Sequence, residues 1–88
     1  MEATDFLERG IETMAQRAAE RDVAQERSMK GTVDAFNSIY GTNLSEAQGW
    51  AFMVLLKLKR SSVGPFRPDD YIDGVSYFGL YGEARANE

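Results

Sequence analysis

From Trp50 to Leu58 the chain is apolar at every position except Lys57. This run is entered through Ser45 and Gln48 and left through Ser61-Ser62-Val63-Gly64-Pro65-Phe66-Arg67-Pro68. The S-x-x-Q spacing is a helix start, in which the serine hydroxyl and the glutamine side chain each satisfy a backbone N–H that has no partner within the helix. The exit run holds both prolines of the chain, and proline removes a backbone donor and clashes with the preceding turn, so no helix continues through it. These signals predict a helix from Glu46 to about Arg60. A helix that is apolar on all sides belongs at the centre of a packed domain, and the rest of the chain is then read for what covers it.

Leu7, Ile11, Met14 and Ala18 recur at helical spacing and predict an amphipathic helix from about Asp5 to Ala24. Asp5 with Glu8 resembles a capping box, and Gly10 inside the stretch costs roughly 1 kcal/mol against alanine. Met29, Val33, Phe36 and Tyr40, flanked by Ile39, form a second stripe. Gly41 suits the left-handed residue that follows many helices, and Gly41-Thr42-Asn43 reads as a turn. The polar stretch between the first two stripes, Arg21 to Ser28, contains neither Pro nor Gly and is as compatible with a kink as with a loop.

A fourth helix is expected to start with Asp69 or Asp70 as its cap and to reach about Ala84, with Tyr71, Ile72, Val75 and Phe78 toward the core. Gly74, Gly79 and Gly82 within it cost about 2 to 3 kcal/mol of helix propensity. Either a neighbouring helix or subunit approaches closely there, or the helix ends early near Gly79 or Gly82. No strand-like alternation, internal repeat or low-complexity tract is present. The predicted architecture is all-α: one domain over residues 1–88, a small four-helix bundle with the third helix buried centrally against the other three.

At 88 residues with 43% hydrophobic side chains, the chain can build one small core, which helix packing or association has to supplement. A homodimer is therefore expected, with Tyr77, Gly79, Tyr81 and Gly82 of the last helix at its interface. Cysteine is absent, which excludes disulfides, thiolate metal sites and thiol nucleophiles. Histidine is absent too, which removes the usual general base at neutral pH and the commonest transition-metal ligand. The net charge of −4, with ten basic residues spread along the chain, argues against direct binding of nucleic acid. No basic start precedes an apolar run and no segment has the length of a membrane span, so a soluble, cytoplasmic protein without membrane contact is expected.

Three stretches carry a resemblance. Met29-Lys30-Gly31-Thr32-Val33-Asp34-Ala35-Phe36-Asn37, Leu44-Ser45-Glu46-Ala47-Gln48-Gly49-Trp50-Ala51-Phe52-Met53 continuing through Leu55-Leu56-Lys57-Leu58-Lys59-Arg60, and Asp69-Asp70-Tyr71-Ile72-Asp73-Gly74 with Tyr77 and Gly82-Glu83 resemble a family of short phage and prophage proteins. The similarity covers roughly residues 20 to 85. That family has no established activity, so the resemblance implies a phage or prophage origin and a place in the host cytoplasm. A second similarity is to the all-helical nucleotide pyrophosphohydrolases, which hold magnesium between carboxylates of two helices. It rests on a helix ending in Lys and Arg followed by a helix carrying Asp-x-x-Asp. The acidic Glu-x-x-Glu helix of those enzymes has no counterpart here, because nothing between Trp50 and Arg60 is acidic.

If the third and fourth helices form an antiparallel hairpin, Lys57, Lys59 and Arg60 adjoin Asp69, Asp70 and Asp73. Complementing the helix dipoles accounts for most of these charges. Lys57 is different, since it shares a face with Trp50, Met53 and Val54 and its ammonium therefore needs a carboxylate, for which Asp73 or Asp70 is placed. On a ligand-binding reading, Asp70 and Asp73 offer two oxygens to Mg2+ while Lys57 or Arg60 holds a phosphate, and Glu8, Glu12 or Glu20 completes the set. The aromatic residues, Trp50, Phe52, Phe66, Tyr71, Tyr77, Phe78 and Tyr81, are read as core or interface in preference to base-stacking platforms. The function expected is that of a non-enzymatic accessory protein without a cofactor, which binds a host or phage protein in host takeover or counter-defence. The alternative is a magnesium-dependent nucleotide-binding or pyrophosphohydrolase-like protein.

Overall fold

The computed structural model describes residues 1–21 and 28–88, which form α1 (Ala3–Arg21), α2 (Met29–Tyr40), α3 (Glu46–Ser61) and α4 (Pro68–Ala86). No strand occurs among the described residues. Most of the Arg21 to Ser28 stretch lies outside them, as do the side chains of Ala18 and Glu20. The fold is thus the all-α, four-helix one that the periodicity predicts.

Local chemistry explains the helix ends. Ser45 and Gln48 close a reciprocal capping box, with Gln48 N–H donating to Ser45 Oγ at 3.1 Å and Ser45 N–H to Gln48 Oε1 at 2.8 Å. Gly41 takes the left-handed conformation, φ 67°, and its N–H reaches Asn37 O at 2.8 Å. Asn37 then organises the turn: its Oδ1 accepts from Thr42 Oγ1 and Leu44 N–H, and its Nδ2 donates to Leu44 O. The start of α4 corrects the sequence reading. Its N-cap is Arg67 and its first residue Pro68, because proline at N1 has a suitable φ and needs no hydrogen-bond partner for its nitrogen. Asp69 and Asp70 lie in the first turn, where the dipole favours acids. The helix also runs through all three glycines to Ala86, beyond the expected stop near Ala84.

The layer order departs from the prediction. α4 packs on both α3 and α1, while α3 packs on α4 and α2 and its backbone makes no close approach to α1 among the described residues, so the helices lie in the order α2, α3, α4, α1. Glycine decides two of the contacts. A Cβ on Gly10 would lie 3.0 Å from Val75 Cγ2 and 3.2 Å from Ser76 Oγ, and one on Gly49 would lie 2.8 Å from Val33 Cγ1 and collide with Met29. Gly10 is therefore the point at which α1 seats on α4, and Ser76 Oγ donates to Gly10 O at 3.3 Å and Ile72 O at 2.9 Å.

The buried apolar residues are Val33, Ala47, Trp50, Ile72 and Leu80, and no large side chain among the described residues is fully enclosed. Several expectations of burial are corrected by this: Tyr71 and Phe78 of α4, expected toward the core, are exposed, as are Phe36 and Tyr40 of the α2 stripe. Leu7 and Ile11 of the α1 stripe are exposed, since α1 turns Gly10 to α4 and its backbone stays clear of α3 among the described residues. On α3 Trp50 and Ala47 are buried, but Phe52 and Leu55 are exposed, and so is Leu58, at the edge toward α4.

Candidate functional site

The charged cluster at the α3–α4 end is built by the hairpin. Lys57, four residues before the end of α3, crosses to α4, where Lys57 Nζ lies 3.0 Å from Asp73 Oδ2. Both side chains are 13% exposed, and Gly74 beside Asp73 keeps the lysine stem close, with 3.8 Å between Lys57 Cβ and an ideal Cβ on Gly74. Asp73 Oδ1 accepts from Arg17 Nη2 of α1 at 3.1 Å. One carboxylate thus ties α1, α3 and α4 together, one oxygen to each cation.

Asp70, one turn earlier, has a separate partner. It is 5% exposed, and its Oδ2 accepts from Arg67 Nε at 3.3 Å. The same guanidinium donates through Nη2 to Arg60 O at 3.1 Å and Val63 O at 3.4 Å. Arg67 therefore fastens the end of α3 to the start of α4, and the cations that the sequence assigned to the cluster divide accordingly. Lys57 is inside it, whereas the Arg60 side chain is exposed and forms no ion pair among the described residues. Arg17 and Arg67 are the members that sequence reasoning missed.

The carboxylates do not converge as a cation site. No group of three or more acidic side chains able to hold a metal occurs among the described residues. Glu12 lines a polar cleft of about 530 Å3 with Asp69 and Asp73, but Arg9 and Arg17 line it as well, so positive charge already occupies the space a cation would take. Among the described residues no buried side-chain nitrogen or oxygen lacks a hydrogen-bond partner. The cluster is satisfied from within the chain.

The four interface candidates separate into two kinds. Tyr77 stacks on Trp50, with ring centroids 5.8 Å apart and planes at 26°, and Trp50 Nε1 donates to Glu46 Oε2 at 3.3 Å. Tyr77 is therefore engaged within the chain. Tyr81 is half-buried beside Phe78, and its hydroxyl accepts from Arg85 Nη1, which together with Glu88 raises the Arg85 pKa above its ordinary value. Gly79 and Gly82 are exposed, and a Cβ on either would meet nothing within 4 Å.

α1 and α3 lie on α4 with no close backbone approach to each other among the described residues, and an apolar groove of about 680 Å3 opens between them. Its floor is Gly74, Val75, Phe78 and Gly79, and its walls include Leu7 and Leu58. Tyr71 closes one end, with Phe66 stacked on it at 5.2 Å and Phe6 tilted against it at 5.8 Å. The sequence carries a signal for this groove in Leu7, on the first helical stripe, and Leu58, in the apolar run of α3.

The fold and the site together define a small all-helical domain in which the Asp70 and Asp73 carboxylates are paired internally and the apolar side chains are in part uncovered. By sequence, residues 7–85 match the family described as a domain of unknown function, DUF6378, and the chain belongs to that family. Neither the curated proteins nor the solved structures gave a match. No helix among the described residues is long and apolar enough to cross a membrane.

Proposed function

We propose that this chain is a phage or prophage accessory protein that works as a homodimer and acts by binding a host or phage protein, in host takeover or counter-defence. The phage setting rests on the sequence resemblance; the mode of action rests on the surface. The observation that carries it is the row of large apolar side chains left exposed on the outer faces of α2 and α3: Phe36, Ile39 and Tyr40, with Phe36 and Tyr40 rings 4.7 Å apart, and Phe52 and Leu55. Exposed aromatic and aliphatic side chains in this density mark protein-binding surfaces. The polar groups point the same way. Asp70 and Asp73, which a magnesium-dependent nucleotide hydrolase would need as ligands, are each held by cations of this chain.

A photo-crosslinking side chain at Ile39 or Phe52, with the protein expressed in its host, tests the reading. One specific polypeptide should be captured, and its binding to the purified chain should be lost in Ile39→Lys or Phe52→Lys with the fold intact. No saturable binding to any captured polypeptide, or magnesium-dependent release of pyrophosphate from nucleoside triphosphates that Asp70→Ala or Asp73→Ala abolishes, would overturn it.

A further inference from the structure

We infer that the groove between α1 and α3 is the homodimer seam, occupied by the same groove of a second copy of this chain. The inference rests on the dimeric part of the reading above and gives it a surface.

The first support is the amount of surface. The chain exposes 6391 Å2, whereas a compact monomer of its mass exposes about 5200 Å2, an excess of roughly 1200 Å2. A stable interface takes about 800 Å2 from each partner, and obligate homodimers take more. The radius of gyration, 14.1 Å, likewise exceeds the value of about 12 Å for a compact domain of this length. A surplus of this size is enough for the interface that one further chain would make.

The second support is its placement. Leu7 is 54% exposed, Leu58 64% and Phe78 61%, and all three line the groove, while Ile11, 69% exposed, follows Leu7 by one turn on the same stripe of α1. Leu7 and Ile11 carry a helical stripe whose spacing has meaning only if something packs on it. Beneath them Gly79 leaves the floor of the groove open, with nothing within 4 Å of the Cβ position, so a neighbouring ridge can approach the α4 backbone.

The third support is the occupant's dependence on the chain. With no large side chain fully enclosed among the described residues, the domain lacks a core of the usual depth, which makes folding and association one process. A second copy meets that need whenever the chain is made, whereas a foreign partner must be present first. A two-fold arrangement also suits the shape, because each copy holds both the ridges, Leu7, Ile11 and Leu58, and the glycine-lined floor that receives them.

Sedimentation equilibrium and thermal unfolding of the full chain, across about a hundred-fold range of concentration, test the seam. A two-chain mass is expected, with an unfolding midpoint that rises with concentration. Leu58→Glu and Ile11→Lys should shift the mass to one chain, while Ile39→Lys, on the α2 face, should leave it at two. If the seam variants do not fold, the concentration dependence of the wild-type midpoint and the mass of Ile39→Lys still decide. A single-chain mass with a concentration-independent midpoint would overturn the seam and the dimer together, as would a groove filled by a foreign helix on a monomer. A dimer that survives folded Leu58→Glu and Ile11→Lys, or one that Ile39→Lys dissociates, would overturn the seam alone. Binding of a host polypeptide is a separate measurement in each case.

Discussion

Lys57 and Asp73 meet at 3.0 Å, Nζ to Oδ2, with both side chains 13% exposed, and Arg17 takes the other oxygen of the same carboxylate. The two ends of this pair are consequently unequal. Lys57→Met keeps an apolar stem over Gly74 and leaves Asp73 with Arg17, so it should cost less than about 1 kcal/mol. Asp73→Ala strands the shielded ammonium and removes one partner of Arg17, and should cost about 3 kcal/mol, the lower end of the range for breaking a buried pair. Urea midpoints of the two single variants and the double variant measure the coupling, expected at about 2 kcal/mol. Additive effects would reduce the cluster to solvated helix ends.

The helical glycines should respond to alanine with opposite signs. At Gly31 nothing lies within 4 Å of the new Cβ, so Gly31→Ala should stabilise by up to about 1 kcal/mol through helix propensity alone. At Gly10 the same gain is set against contacts of 3.0 Å to Val75 and 3.2 Å to Ser76. Overpacking of this kind costs about 1 to 3 kcal/mol, and a net loss of about 1 kcal/mol is expected. Val33 is less able than a flexible side-chain end to move away from Gly49, so Gly49→Ala should lose at least as much. Thermal unfolding at one fixed concentration ranks the three, and equal shifts would mean that helix spacing is set elsewhere.

The helices were legible because their signals are local. Ser45 with Gln48, Gly41 after Tyr40 and the proline run after Ser61 each act within a few residues of where they stand. The stacking order was not, because it depends on which faces meet. α3, the most apolar run, was read as central, yet α4 is the helix with two large neighbours, and what brings α1 onto it is a glycine that propensity scores only as a cost. Gly10 and Arg17 are two turns apart on one face of α1. Once Gly10 is known to touch Ser76, Arg17 is carried toward Asp73, and without that contact nothing in the sequence selects it. Lys57 was legible for the opposite reason: a lone ammonium in an apolar run has few solutions, and the hairpin supplies one. The choice of Asp73 over Asp70 then follows from Arg67, which was read only as part of a loop although it stands three residues before Asp70.

Arg67 yields the last prediction. Its guanidinium reaches Asp70 Oδ2 at 3.3 Å, Arg60 O at 3.1 Å and Val63 O at 3.4 Å, so one side chain neutralises a buried acid and adds a donor to two carbonyls of the turn that leaves α3. Removing it leaves Asp70, 5% exposed, as a carboxylate without its cation in the first turn of α4. Arg67 itself is about half exposed, which admits water and keeps the loss below that of a fully buried pair. Arg67→Ala should therefore destabilise by about 2 kcal/mol. Arg67→Lys should recover only part of that, because an ammonium cannot span the carboxylate and both carbonyls as a planar fork does. Asp70→Asn introduced into Arg67→Ala should restore stability, since it removes the stranded charge while keeping the side chain's shape. Chemical denaturation of the four proteins reads this series. Arg67→Ala within about 0.5 kcal/mol of the parent, the range of ordinary surface substitutions, would show that the turn is held by Pro68 and the backbone alone.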